Sequence, residues 1–175
     1  MTDQVEIRSG GPDDVPLLLE WFDEAVAWMV ARGQEGQWGS EPLSQRPQSV
    51  ANIKQMASRG GLRIAELAGC PVGALVIGEA PAHVRAIDVP ELYIELLLTS
   101  RRHAGKKIGT RLVEEAIATA WAGGLPMVRV DCWAGAPTLV AWYRRHGFEP
   151  SGTFDVKGWH GQIFEMPLRD PSESR

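Results

Sequence analysis

The 175-residue sequence predicts one α/β domain built as a mixed sheet covered by helices. Strand-like and helix-like signals alternate along it in the order β-αα-βββ-α-β-α-ββ, which leaves each apolar face a neighbouring layer to pack on. A composition of 44% hydrophobic and 23% charged residues is that of a globular chain, and the length suits one core rather than two. The folded part is expected to run from about 4 to 168, with 169–175 as a tail.

Val5 and Ile7 alternate with charged neighbours as a short strand, which Gly10-Gly11-Pro12 ends. From Asp13 onward, Val15, Leu18, Leu19, Phe22, Val26 and Met29 recur at helical spacing until Gly33. Residues 34–47, rich in Gly, Gln, Ser and Pro, read as loop. Val50, Ile53 and Met56 then mark a shorter helix closed by Gly60-Gly61. Leu62 to Leu67 and Val72 to Ile77 read as strands joined by a compact turn over Ala68-Gly69-Cys70-Pro71. Leu92 to Thr99 is an apolar run broken by one acid, as expected of a largely buried central strand. Ile108, Leu112, Ala116, Ile117, Ala120 and Trp121 share one helix face, which Gly123-Gly124 ends before a strand over Met127 to Trp133. Pro137 suits the first turn of a last helix, closed by Gly147. Thr153 to Val156 and Ile163 to Met166 complete the strands, around a turn expected over Lys157-Gly158-Trp159-His160-Gly161.

The segment between the central strand and the third helix carries the most chemistry. It reads Arg101, Arg102, His103, Ala104, Gly105, Lys106, Lys107, Ile108, Gly109, Thr110. A glycine bend before a helix leaves backbone N–H groups unpaired at the positive end of the helix dipole, and the basic side chains add charge there. This combination is a cradle for phosphate. A Walker A loop needs Ser or Thr after Gly-Lys, where Lys107 stands, and a dinucleotide fingerprint needs a third glycine. Neither an acidic magnesium site nor a true P-loop for phosphoryl transfer is evident.

Several function classes are set aside on composition. A net charge of −4 gives no general attraction to nucleic acid. No segment approaches the ~20 apolar residues of a membrane span, and MTDQVEIRSG has no apolar signal core, so a cytoplasmic location is expected. Cys70 and Cys132 lie far apart without CxxC spacing, and the four histidines show no paired ligand spacing, so no metal is implied.

Arg102-x-x-Gly105-Lys106-Lys107-Ile108-Gly109 resembles the acetyl-CoA pyrophosphate loop of the GNAT N-acetyltransferases, which usually have Gly or Ala where Lys107 stands. The likeness covers roughly the C-terminal half, where YIELLLTSRRHAGKKIGTRLVEEA, VRVDCW and WYRRHGF fall in the family's order. It implies a mostly antiparallel central sheet flanked by helices on both faces, and acetyl-CoA or coenzyme A as co-substrate. It also implies acetyl transfer to a small-molecule or peptide amine in a ternary complex. A homodimer through the C-terminal strands is compatible with it.

By the same resemblance, the residues 102–110 would hold the pyrophosphate. The backbone of Leu97, Leu98 and Thr99 would hold the pantetheine arm and polarise the thioester carbonyl. Tyr143, followed by Arg144-Arg145-His146 and then Gly147-Phe148, matches the tyrosine that protonates the departing thiolate. Glu95 shares a strand face with Leu97 and Thr99 and is the first choice of general base, with Asp131 the second. Trp28 and Trp38, with Arg32 and Gln37, fall where the family places the acceptor, and with Trp133 and Trp159 could line a pocket for a flat or hydrophobic amine. Many relatives carry Asn where this chain has Ala136, so one cofactor contact is expected to be missing. Lys107 and Ala136 keep a second reading open, an acyl-CoA-binding regulatory module without turnover. Substituting Tyr143 separates the two.

Overall fold

The structure, a computed structural model, describes residues 4–170. The tail expected over 169–175 therefore lies, from residue 171 on, outside the described residues. Strands Val5–Ser9 (β1), Leu62–Leu67 (β2), Cys70–Gly78 (β3), Glu91–Thr99 (β4), Met127–Trp133 (β5), Glu149–Val156 (β6) and Trp159–Pro167 (β7) form a seven-stranded sheet in the order β1-β2-β3-β4-β5-β7-β6. The sheet is mixed and mostly antiparallel. The α-helices are Val15–Val30 (α1), Pro47–Ser58 (α2), Ile108–Ala122 (α3) and Pro137–Arg145 (α4). Within the described residues the chain forms two compact units, one running to Ile77 and taking in Leu96–Val113, the other comprising Gly78–Glu95 and the residues from Glu114 on.

In the first unit, α1 follows from apolar residues at helical spacing that bury Leu18, Phe22, Val26 and Met29, together with Trp21 and Ala25. With Ile53 and Ala57 of α2 they pack on Leu62 and Ile64 of β2, Ala74 and Val76 of β3, and Leu96 and Leu98 of β4. Each of the larger buried side chains contributes about 1.5–3 kcal/mol by leaving water. Where α3 begins, a Cβ on Gly73 would stand 2.8 Å from Ile108 and 3.1 Å from the Leu98 carbonyl. Glycine at 73 therefore sets how closely the start of α3 approaches the strand.

In the second unit, β5 pairs antiparallel with β7 from Met127↔Pro167 to Trp133↔Gly161, and β7 with β6. Parallel pairing of β4 with β5 covers Glu91↔Met127 to Ile94↔Val130, and Glu95 and Asp131 are the residues that follow on each strand. Arg129, 2% exposed, is held by a fork of hydrogen bonds to Glu91, Nε to Oε2 at 2.6 Å and Nη2 to Oε1 at 2.8 Å, with Nη1 donating to the Arg85 carbonyl at 3.0 Å. Tyr93, fully buried beside Val84 and Ile163, lies under the same guanidinium.

The expected elements are all present, with four local corrections. Both hairpins turn on two residues rather than the longer segments expected: Ala68-Gly69 (φ 51° and 76°) and Lys157-Gly158 (φ 51° and 83°). Paired positive φ values match the right-handed twist of the flanking strands, which lets Cys70, Pro71, Trp159, His160 and Gly161 join strands. The loop expected over 34–47 holds a short 3-10 turn, Leu43–Gln45, and the basic segment holds another, Arg101–His103. β6 begins at Glu149, earlier than its apolar signal, because an outer strand of the sheet is patterned mostly for solvent. Trp121, expected on the apolar face of α3, is 49% exposed.

Candidate acyl-transfer site

The basic loop expected to hold a phosphate lies in the first unit. Ser100 N donates to the Val72 carbonyl at 2.8 Å, fixing the end of β4, and the turn Arg101–His103 closes through His103 N to the Ser100 carbonyl at 3.2 Å. Gly105 has φ +81°, Lys106 N donates to the His103 carbonyl at 3.3 Å, and Arg111 N donates to the Lys107 carbonyl at 3.1 Å as α3 begins. The first N–H groups of α3, Ile108 and Gly109, have no acceptor within the helix by its geometry, and the first turn carries no acid to neutralise its dipole. Lys106 and Lys107 are exposed beside that end. These donors and charges fit a diphosphate.

Lys107 itself has φ +58°. A side chain in the left-handed region costs about 1–2 kcal/mol, so the glycine often found at this place in similar loops has a conformational reason. Lys107 keeps the backbone path and carries the strain. Lys107→Gly is expected to raise stability by about 0.5–1 kcal/mol after the added freedom of the unfolded chain is counted, read as a higher urea midpoint.

The arginines of the loop do not both point at the bend. Arg102 reaches α1, with Nη2 2.8 Å from Glu20 Oε1 and 2.6 Å from Glu24 Oε1. Its side-chain charge is therefore engaged by carboxylates, which leaves backbone and lysines as the donors for a phosphate. Arg101 lays its guanidinium over the Trp28 ring, with Cζ 3.8 Å from the centroid, and Arg32 lies over the same ring at 4.0 Å. His103 Nδ1 is 3.4 Å from Ser100 Oγ. Trp38 stands edge-on to Phe22 at 5.0 Å and packs on the core, so it caps that core rather than standing free.

The residues that the sequence suggests as acid and base belong to the second unit. Tyr143, 4% exposed, stacks on Phe164 at 5.2 Å and meets Phe148 edge-on at 5.8 Å. Among the described residues no hydrogen bond engages its hydroxyl. Burial, then the nearby Cys132 and Asp131, push its acidity far above the ordinary phenol value, so the hydroxyl keeps its proton across the neutral range. The buried Cys132 thiol is pushed up to about 12, first by burial and then by the charge of Asp131, and stays a poor nucleophile.

Asp131 accepts a hydrogen bond from the Tyr93 hydroxyl. Its burial raises its affinity for a proton above that of an ordinary carboxylate, against the opposing pull of the Tyr93 hydrogen bond and of His83. Glu95 lies over the backbone of Gly78, where a Cβ would stand 2.0 Å from its Oε1, so any other residue there would displace the end of the Glu95 side chain. The half-buried Trp133 folds over Gly135. Ala136 is the N-cap of α4 and, with no side-chain oxygen, makes no side-chain cap bond.

Sequence reasoning named Tyr143, Glu95 and Asp131 as candidates and did not name Tyr93, whose hydroxyl donates to Asp131, or the stack of Arg101 on Trp28. A helical repeat of four, Glu20, Glu24, Trp28, Arg32, was visible in the sequence and marks the face of α1 that receives the loop arginines.

Residues 18–148 match the model of the acetyltransferase (GNAT) family. The sequence is 35% identical over 77 residues to the uncharacterized N-acetyltransferase YesJ of Bacillus subtilis, a stretch that spans 44% of this chain and about two fifths (41%) of that relative. An acetyltransferase of the GNAT family from Listeria monocytogenes is similar in fold, with a TM-score of 0.71 at 22% identity over 94% of this chain and 95% of that one. So is the PaiA N-acetyltransferase of Thermoplasma acidophilum in complex with coenzyme A, with a TM-score of 0.65 at 19% identity over 94% and 99%. Among the described residues no helix is long and apolar enough to cross a membrane.

Proposed function

This chain belongs to the acetyltransferase (GNAT) family and is an acyltransferase; on that premise we propose that it moves an acetyl group from acetyl-CoA directly to a primary amine. The observation that carries the reading is the bend from Gly105 to Thr110, where left-handed backbone, helix N–H groups and two exposed lysines meet. Ile108 and Gly109 N–H groups with Lys106 and Lys107 would hold the pyrophosphate, and the backbone of Leu97, Leu98 and Thr99 the pantetheine arm. When bound, acetyl-CoA supplies an activated acetyl carbon as a thioester. The N–H groups near Leu97 to Thr99 would polarise its carbonyl, and the Tyr143 hydroxyl would supply the proton for the departing sulfur. The high proton affinity of Cys132 favours direct transfer over an acyl-cysteine.

A neutral amine is needed for attack, so a carboxylate must take its proton. Glu95 and Asp131, the residues that follow the last β4–β5 pair, are the two candidates for this role. The Tyr93 hydrogen bond favours Asp131 as the oriented one. Because burial raises its proton affinity, Asp131 binds a proton at a higher pH than an ordinary carboxylate, and kcat/KM is expected to fall as pH drops through that raised value. Asp131→Asn should remove this acid limb and lower the plateau, whereas Glu95→Gln should leave the limb in place. An unchanged limb in Asp131→Asn with loss of it in Glu95→Gln would move the role to Glu95.

The direct test is thiol release from acetyl-CoA across a panel of amines, with mass analysis of the acetylated product. Release of thiol with no acetylated amine, in every member of the panel, would contradict the reading.

A further inference from the structure

Arg101 and Arg32 sit on one indole without a carboxylate between them. Arg32 Cζ is 4.0 Å and Arg101 Cζ 3.8 Å from the Trp28 centroid, and among the described residues neither guanidinium has an acidic partner. The contrast lies one residue away, where Arg102 takes two of the three carboxylates on α1, Glu20 and Glu24, while Asp23 accepts from Ser44 N. Arg101 Nε is buried with no hydrogen-bond partner at all. Arg32 spends one N–H on the Trp28 carbonyl at 3.5 Å and is otherwise exposed.

Stacking on tryptophan offsets part of the cost of bringing two cations together, about 0.5–2 kcal/mol per contact, but it satisfies none of their N–H donors. Burial, and then the charge of Arg32, both work against the positive form of Arg101. A guanidinium cannot escape by losing its proton in the neutral range. Its remaining remedy is an anion, and its planar fork of donors matches a carboxylate or a phosphate in two-point contact. Trp28 fixes the plane on which those forks lie.

We propose that Arg32 and Arg101, gathered on Trp28, bind an anionic group of the acceptor, so that the favoured acceptor is an amine carrying a carboxylate or phosphate at its other end. The proposal rests on the acetyl-transfer reading and names the substrate class for it. Arg101 follows Thr99 by two residues, about 7 Å of extended chain, so one small molecule can reach from the guanidinium pair to an acetyl group held at the end of β4. The loop's other cations, Lys106 and Lys107, lie beyond the Gly105 bend, which leaves the pair on Trp28 to a different anion from the pyrophosphate.

The test compares straight-chain ω-amino acids of two to six carbons with their methyl esters as acceptors, in the full chain and in Arg32→Gln, Arg101→Gln and Arg101→Lys. The best acid is expected to exceed its ester in kcat/KM by tenfold or more. Each glutamine variant should bring that ratio close to one, Arg101→Lys should keep part of it, and the dissociation constant for coenzyme A should stay within twofold. Acids no better than esters at every length, or a ratio untouched by both glutamine variants, would overturn the proposal. A loss of coenzyme A affinity in Arg101→Gln with the ratio intact would also overturn it, by giving the anion to the cofactor. Binding of the N-acetylated acids and esters, followed by calorimetry, needs no turnover. Preference for the acids there upholds the anion site even if no amine is acetylated, in which case the acetyl-transfer reading alone fails.

Discussion

Tyr143→Phe is expected to lower kcat by 10²–10⁴-fold while leaving coenzyme A affinity within about twofold, because the change removes one proton donor and no binding contact. The phenylalanine ring keeps the stack on Phe164 and the edge contact with Phe148. Among the described residues the hydroxyl makes no hydrogen bond whose loss would disturb the fold. Thiol release at saturating acetyl-CoA and saturating amine measures this, with calorimetry for the affinity. A kcat within threefold of the unsubstituted chain would remove Tyr143 from the chemistry. A fall in coenzyme A affinity as large as the fall in rate would make it a binding residue instead.

Glu91→Gln is expected to be the most damaging conservative change outside the reacting groups. Arg129 is 2% exposed and its guanidinium is satisfied by the Glu91 fork and the Arg85 carbonyl. Removing the carboxylate charge leaves a cation buried without a counter-charge, which costs about 3–5 kcal/mol. That is a large share of the roughly 5–15 kcal/mol by which a domain is stable. Glu91 and Arg129 bracket Tyr93 at the β4–β5 pairing, so the loss also loosens the group that orients Asp131. Urea unfolding gives the number. Equal midpoints for the two proteins would show that water, not Glu91, compensates Arg129.

The order of elements was legible because each has its own periodicity and its own stop. Helix α1 carries apolar residues every three or four positions and ends before Gly33, and β5 alternates Val128, Val130 and Cys132 with Arg129 and Asp131 between Pro126 and Gly135. The turns were less legible because Ala68-Gly69 and Lys157-Gly158 lack the Asn-Gly or Asp-Gly signal, although they adopt the same positive φ values. At the site, Gly105 announced a bend, whereas the left-handed backbone at Lys107 was not legible. The direction in which Arg101 and Arg102 point was hidden, since it depends on Trp28 and Glu24, more than seventy positions earlier in the chain. The same holds for Tyr93 and Asp131, which are brought together only by parallel pairing of β4 with β5. Lys107, a departure from the usual loop residue, proves compatible with the loop's backbone at the cost of strain.

The central claim is that the Gly105 bend holds the diphosphate of a thioester carrier, and titration calorimetry of the full chain with coenzyme A, beside ATP and pantetheine, tests it most directly. Coenzyme A is expected to bind, pantetheine to bind at least tenfold more weakly for want of its diphosphate, and Lys106→Ala to weaken coenzyme A without affecting pantetheine. Binding of ATP but not of coenzyme A, or equal affinity for coenzyme A and pantetheine, would contradict the account.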